Sequence, residues 1–280
     1  MPAVERDTGL GTTYERIAVA RLVEELAGRY AISSVLEGPV DGITGIRGLN
    51  SIPFAQRGAR VEVVLSDRDE VDLARRIWAG LGLATGAATI REARGWLLGG
   101  ADRAFDLVWN FNALPQAPDP ERLLDEMCRA SARYVLVFVS NTLNYGFPIH
   151  RLHHRRIREP WSHGSVSVMN ARRIERSLGR RGFGTVQRLL VDVPWWPDID
   201  SPIEEVAAAF LPFLKGRVQG SKRLERYTWD ALDLPYFDPE RRRRLEADLE
   251  RHFLIERVRR CPLRPLFAHH RGVLAERGRR

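Results

Sequence analysis

Apolar positions change their period repeatedly along the first half of the chain. Between Thr13 and Tyr30, Ile17, Ala20, Leu22, Val23 and Leu26 recur at helical spacing and predict an amphipathic helix. Ser33–Glu37 then reads as a short strand, and Leu49–Gln56 as a helix limited by Pro53. Val61–Leu65 predicts a second buried strand that closes at Ser66-Asp67, followed by a helix over Glu70–Leu81 with a glycine-rich exit. Ala87–Ile90 is a weak third strand and Phe105–Phe111 a fourth; Asp119–Ala132 is a helix opened by Pro118-Asp119-Pro120. Tyr134–Val139, YVLVFV, carries the strongest strand signal in the chain.

Strand and helix signals thus alternate through residue 139, the pattern of a parallel sheet with crossover helices. Asn170–Arg181 adds a helix with Asn170 as N-cap, Thr185–Val193 a strand, and Leu266–Glu276 a last strand. Between the last two lies Pro194–Leu263, with Trp195, Trp196, Tyr227, Trp229, Tyr236 and an Arg-rich helix from about Pro239 to Phe253. The expected fold is α/β, a doubly wound, mostly parallel seven-stranded sheet. Residues 1–193 form its core, 194–263 a late helical insertion or substrate cap, and 264–280 the last strand and a basic tail.

Composition narrows the function classes only a little. With 280 residues, 44% of them hydrophobic, the chain can bury a full core. The net charge of +8 suggests an acidic partner: a phosphorylated or carboxylated substrate, an anionic membrane surface or nucleic acid. The basic residues are almost all arginine, with lysine only at Lys215 and Lys222, a skew that points to genome composition before function. Cys128 and Cys261 form no Cys-x-x-Cys pair, which argues against a zinc or disulfide framework. The start MPAVERDTGL has no apolar signal core and no run is long enough to span a bilayer, so a cytoplasmic protein is expected.

The chemistry concentrates in VLEGPVDGITGIRG, Val35 to Gly48, which follows the first core strand. Gly42, Gly45 and Gly48 let the backbone turn tightly and approach a ligand, and the following helix offers its positive end. Asp41 lies within the loop, as part of a ligand site or as a cap for that helix. Two carboxylates frame the region: Glu37 closes one strand and Asp67 the next. A carboxylate in the position of Asp67 suits the two ribose hydroxyls of an adenosine. Glu37 would repel a pyrophosphate but welcome a ligand with a cationic amine and a sulfonium. The pair favours S-adenosylmethionine over a nicotinamide dinucleotide; the plainer alternative is that both are solvated strand ends.

With these residues in place, the chain resembles the class I S-adenosylmethionine-dependent methyltransferases from about Thr13 to Val193. The resemblance is carried by Val35-Leu36-Glu37 with the Gly42/Gly45 loop, by VVLSDRDEVDLAR containing Asp67, and by FDLVWNFNALPQAPDPERLLDEM. It implies that Glu37 and the backbone from Gly38 to Gly45 hold the methionine portion of the cofactor. Asp67 would bind ribose, Arg68 would lie beside adenine, and Asn110, Phe111 and Asn112 would border the cofactor and the substrate entrance. Two features depart from the family pattern: Pro39-Val40-Asp41 interrupts the glycine spacing, and Ile90 is followed by Arg91-Glu92 where an acidic residue commonly follows the third strand. Nucleic-acid enzymes of this kind that methylate amino groups usually carry Asn/Asp-Pro-Pro-aromatic after the fourth strand. Here the run is Asn110-Phe111-Asn112-Ala113, which favours a small-molecule acceptor.

Ser140 to Gly164 is too long for a simple connection and holds His150, His153, His154 and His163. A metal site is one reading, since His150 and His154 would share a helical face. No carboxylate or cysteine sits at matching spacing, however, and Arg155 and Arg156 would repel a cation. The preferred reading gives His150 and His154, with Tyr145, to proton transfer or acceptor binding, and no metal. His269 and His270 fall on the last strand, where alternation turns one of them toward the core. The Trp195-Trp196 and Tyr227/Trp229/Tyr236 groups fit equally a lid over the acceptor or packing of the insertion. Arg241 to Arg244, alternating with Glu246, Asp248 and Glu250, reads as a salt-bridged helix face before a peripheral membrane contact.

Overall fold

The computed structural model describes residues 5–40, 45–83, 86, 88–198, 225–258 and 261–278. The first core strand, β2 (Ser34–Val40), lies between β3 (Arg60–Leu65) and β5 (Phe105–Phe111), and all three run parallel. Beyond β3 comes β4 (Ala88–Glu92), and beyond β5 comes β6 (Ser131–Ser140), both parallel as well. The last strand, β9 (His270–Arg277), inserts antiparallel between β6 and β7 (Phe183–Val191). The seven-stranded order is therefore β4-β3-β2-β5-β6-β9-β7, the doubly wound sheet that the alternating pattern predicts.

Strand alternation divides the core into two layers. Val35, Val63, Trp109 and Leu136 face α1 (Leu10–Arg29), α2 (Ile52–Gln56) and α3 (Arg68–Gly80). Leu36, Val64, Val108 and Val135 face the other way, onto Leu123 and Met127 of α4 (Pro120–Ala130) and Ile174 and Leu178 of α6 (Ala171–Arg180). Each such aliphatic side chain contributes on the order of 1.5–3 kcal/mol of transfer free energy. The predicted cap forms at Asn170, which accepts from the Arg173 amide at 3.3 Å; Asp119, read as the first helical residue, proves to be a cap and accepts from the Arg122 amide at 3.0 Å.

Several elements differ from the sequence expectation. β2 runs past Glu37 to Val40, and the last strand begins only at His270, after a short helix over Arg264–Phe267. β4 continues past Ile90 to Glu92, pairing Leu65 with Glu92. The long connection after β6 contains a twelve-residue helix, α5 (Gly146–Ile157), which ends at Arg158 in the left-handed conformation. The N-terminal residues form a short strand, β1 (Arg6–Thr8), paired antiparallel with β8 (Thr228–Asp230) of the insertion.

That pairing ties the described part of the insertion to the core. Tyr227, Tyr236, Leu249 and Phe253 are buried in the same layer as α1, so two of the aromatic residues pack the insertion rather than stand over a ligand. The Arg-rich segment is helical as α7 (Pro239–Asp248), and Arg242 bonds Glu24 of α1 as well as Glu246 of its own helix. Trp195, by contrast, is exposed. Among the described residues no helix is long and apolar enough to cross a membrane.

Candidate active site

The carboxyl ends of the parallel strands, where open α/β sheets bind ligands, bring Glu37, Asp67, Glu92, Phe111 and Asn112 to one edge. Glu37 sits on the central strand and is 1% exposed. Neither of its carboxylate oxygens completes a hydrogen bond with another described residue. Burial pushes its pKa up to about 7, against the pull of the Ser51 hydroxyl and amide and of the Arg16 guanidinium. A buried carboxylate in this state calls for a cation or a hydrogen-bond donor from a ligand. Next to it, Gly38 lets β2 press on β3: a Cβ there would lie 2.8 Å from Cβ of Val64.

Asp41 and Gly42 lie outside the described residues, and the loop resumes at Gly45. Gly45 has φ of 79°, and a Cβ on it would run into the Asp7 carboxylate. The loop exit is clamped from both sides. Asp7 accepts from the Ile46 amide at 2.8 Å while Arg16 donates to the Ile46 carbonyl and, at 3.0 Å, to Asn50. Further on, the Trp78 indole donates to the Gly48 carbonyl at 2.9 Å, and Arg47 pairs with Glu70 at 2.7 Å. The helix after the loop, α2, is only five residues long, so the loop is positioned by side chains and not by a helix dipole.

Asp67 lies two residues beyond the end of β3, and its Oδ1 caps α3 by accepting from the amides of Asp69 (2.9 Å) and Glu70 (3.4 Å). Arg68 is exposed, pairs with Asp72 at 3.4 Å and approaches Glu92 at 4.0 Å. Because β4 runs to Glu92, an acidic residue does close that strand, and the departure noted at Ile90 disappears. Phe111 meets the ring of His270 at 4.5 Å, and Asn112, at φ of 56°, accepts from the Ser140 amide and hydroxyl, locking the ends of β5 and β6 together. Asn110 points to the opposite face, where its amide nitrogen contacts Met127 sulfur, so the structure does not bring it to this edge.

A buried polar cluster beside Phe111 was not singled out by sequence. His270 bonds Glu15 of α1 at 3.2 Å, and His269 pairs with Asp192 at 2.8 Å and donates to the Trp196 carbonyl at 3.1 Å. Burial opposes charge on both imidazoles, yet Asp192 and Asp198 push His269 up to about 10, and Glu15 raises His270. Tyr14 donates to Glu256 at 2.7 Å, stacks on Phe253 and meets Trp196 edge-on. Alternation signals one buried histidine in the pair; both are buried because the segment from Asp192 to Trp196 covers the second face.

Tyr145 precedes α5 and donates its hydroxyl to the Trp195 carbonyl at 2.8 Å. His150 and His154, one turn apart on α5, are joined by His163: the Nε2 atom of His154 lies 3.2 Å from that of His150 and 3.1 Å from that of His163. His153, which turns away from this group, is buried.

No protein-family model matches the chain, and no curated protein matches it in sequence. Solved structures do match. Magnesium protoporphyrin IX methyltransferase from Synechocystis PCC 6803, solved with bound S-adenosylhomocysteine, superposes with a TM-score of 0.54 at 14% identity, covering 97% of this chain and 89% of that one. Geranyl diphosphate C-methyltransferase from Streptomyces coelicolor A3(2), solved with Mg2+, geranyl diphosphate and S-adenosyl-L-homocysteine, gives 0.50 at 12% identity, covering 92% and 78%. The cyclase SpnF also gives 0.50, at 15% identity over 92% of this chain and 80% of that one. At such identities the likeness is one of fold, and the chain has the Rossmann-like fold of the class I S-adenosylmethionine-dependent methyltransferases.

Proposed function

We propose that the chain is an S-adenosylmethionine-dependent methyltransferase acting on a small-molecule acceptor, hydrophobic or anionic. The observation that carries the reading is Glu37, a buried carboxylate midway along the central strand whose oxygens complete no hydrogen bond among the described residues. A dinucleotide pyrophosphate would be repelled there, whereas the ammonium of a methionine moiety would complete the site. Asp67, just beyond β3, and Glu92 at the end of β4 would hold the ribose and adenine ends, while Gly38 lets β2 pack on β3 and Gly45 lets the loop pass Asp7. When bound, the cofactor supplies an activated methyl group on a sulfonium.

The chain's own task is then alignment and exclusion of water. Tyr14, Trp196 and Phe253 form an aromatic wall, and Phe111 and Asn112 mark the acceptor side. His270, which touches Phe111, has a buried Nδ1 with no partner among the described residues. We assign the hydrogen bond to the acceptor to His270 instead of His150 or His154, whose Nε2 atoms face His163 and each other.

Calorimetric titration with S-adenosylmethionine, S-adenosylhomocysteine and NADH tests the reading. Micromolar binding of the first two and its loss in Glu37→Ala are expected; tighter binding of NADH would sink it. Transfer of labelled methyl to a small-molecule extract, set against transfer to RNA or DNA, then separates the acceptor classes.

A further inference from the structure

We propose that His150, His154 and His163 form a binding site for one divalent transition-metal ion of the zinc class. Their ligand nitrogens all lie within 4.8 Å of one another, and two of the separations are 3.1 and 3.2 Å. A ring nitrogen has a single in-plane position, which holds either a lone pair or a proton. The Nε2 atom of His154 can therefore hydrogen-bond one of its two neighbours but not both. A shared cation can take one lone pair from each of the three rings, as their spacing allows. With metal–nitrogen bonds of about 2.0–2.1 Å, tetrahedral geometry sets neighbouring nitrogens about 3.3 Å apart, close to the spacing seen here.

The surroundings suit such an ion. His150 and His154 stand one turn apart on α5, a fixed pair, and His163 returns from the loop that follows. The Trp161 ring packs against all three imidazoles, with centroids 5.4, 5.4 and 4.7 Å away, and its indole donates to the Gly164 carbonyl at 2.9 Å. This apolar wall limits solvent access to the ligands. His154 lies in the last turn of α5, where the unpaired carbonyl ends favour positive charge, while Arg155 and Arg156 are exposed. The third ligand lies nine residues beyond His154, outside any helical spacing, which is why the His150/His154 pair looked incomplete in sequence.

Three protein ligands leave a fourth position for water or another oxygen ligand, as in catalytic rather than structural sites. The ion would also fasten α5 to the 158–165 loop. That loop leans on the segment after Phe111 and Asn112: the Ser165 amide donates to the Pro115 carbonyl at 2.7 Å, and a Cβ at Gly164 would lie 2.5 Å from the same oxygen. The proposal does not depend on the methyltransferase reading, because metal binding is measured without cofactor.

The full chain, stripped with a chelator, is titrated with Zn2+ in competition with a chromogenic chelator, and with Co2+ by visible absorption. One equivalent per chain and the intense bands of tetrahedral cobalt are expected. His154→Ala and His163→Ala each weaken binding by about 100-fold or more, and His153→Ala, outside the cluster, binds as the parent does. Absence of stoichiometric binding in the parent, or equal binding by the His154 and His163 variants, overturns the proposal. Independently of any variant, long-range proton–nitrogen spectra of the parent should show the Nε2 resonances of these three histidines shifting on one equivalent of Zn2+. Shifts confined to other histidines would overturn it equally.

Discussion

Asp7 and Arg16 hold Ile46 between them, the carboxylate on its amide and the guanidinium on its carbonyl, while pairing with each other at 2.8 Å. Both side chains are almost wholly buried, at 0% and 3% exposure. The pair fixes the backbone at Ile46, just after the loop resumes at Gly45. Removing one partner strands a buried charge, which typically costs about 3–5 kcal/mol. Arg16→Ala is therefore expected to lower the melting temperature sharply. The double variant Asp7→Leu/Arg16→Met should recover much of that stability without recovering cofactor binding. Thermal melts and calorimetry on the three proteins check both halves.

Glu37 couples stability to pH in the opposite sense from an ordinary carboxylate. Its folded pKa is raised from 4.5 to about 7, so the folded state binds more protons across that interval and stability falls as pH rises through it. The full shift corresponds to about 3 kcal/mol above pH 7, at roughly 1.4 kcal/mol per unit. Glu37→Gln should accordingly melt higher than the parent at pH 8 in the absence of ligand, yet bind S-adenosylmethionine about 10–100-fold more weakly. In the parent, affinity should fall about tenfold per unit as pH drops below 7, since the cationic ligand needs the ionised carboxylate. A variant that both binds and melts like the parent would remove Glu37 from the site.

The sheet was legible because its central strands are buried on both faces, and continuous apolar runs such as Tyr134–Val139 leave few alternatives. The same reasoning under-read β4 at the sheet edge. Arg91 there reaches Glu62 at 2.6 Å, so polar residues continue the strand after the apolar signal has stopped at Ile90. Arg16 escaped notice because its burial depends on Asp7, a residue outside the helix with no periodicity of its own. His163 joined the histidine pair, and His270 joined Glu15 and Phe111, only through the return of distant segments. Sequence put Glu37 and Asp67 at strand ends; β2 instead runs on to Val40, and Asp67 falls just beyond β3 as a helix cap, the first fully buried and the second half-buried.

His269 gives a second pH dependence, in a separate window. Its folded pKa rises from 6.5 to about 10 under the pull of Asp192 and Asp198, against the cost of burial. The stabilisation is fully present below pH 6.5 and is lost as pH climbs toward 10, because the folded state then keeps a proton that the unfolded chain has released. A loss on the order of 5 kcal/mol across that interval is expected, at roughly 1.4 kcal/mol per unit. His269→Gln should start less stable at pH 6 and show a flatter profile from 6.5 to 10. Denaturant titrations at stepped pH distinguish the two curves.

Arg242 links the insertion to the core through charge as well as packing. From α7 it bonds both carboxylate oxygens of Glu24 on α1 and, at 3.0 Å, Glu246 on its own helix, with only 15% of its side chain exposed. Arg21 of α1 reaches the same Glu246 at 3.0 Å, so the four side chains form a network across the α1–α7 interface. Such a network, partly shielded from solvent, is worth more than an isolated surface pair. Arg242→Ala is expected to cost about 1–3 kcal/mol and to act locally. Amide exchange should quicken over residues 225–258 while the protection of β2, β5 and β6 stays unchanged. Because Phe253 and Glu256, which contact Tyr14, follow α7 directly, the loosened insertion should also weaken acceptor binding more than cofactor binding. Exchange spectra and a KM-against-kcat comparison with an identified acceptor read these effects separately; uniform loss of protection across the sheet would show that Arg242 supports the whole fold instead.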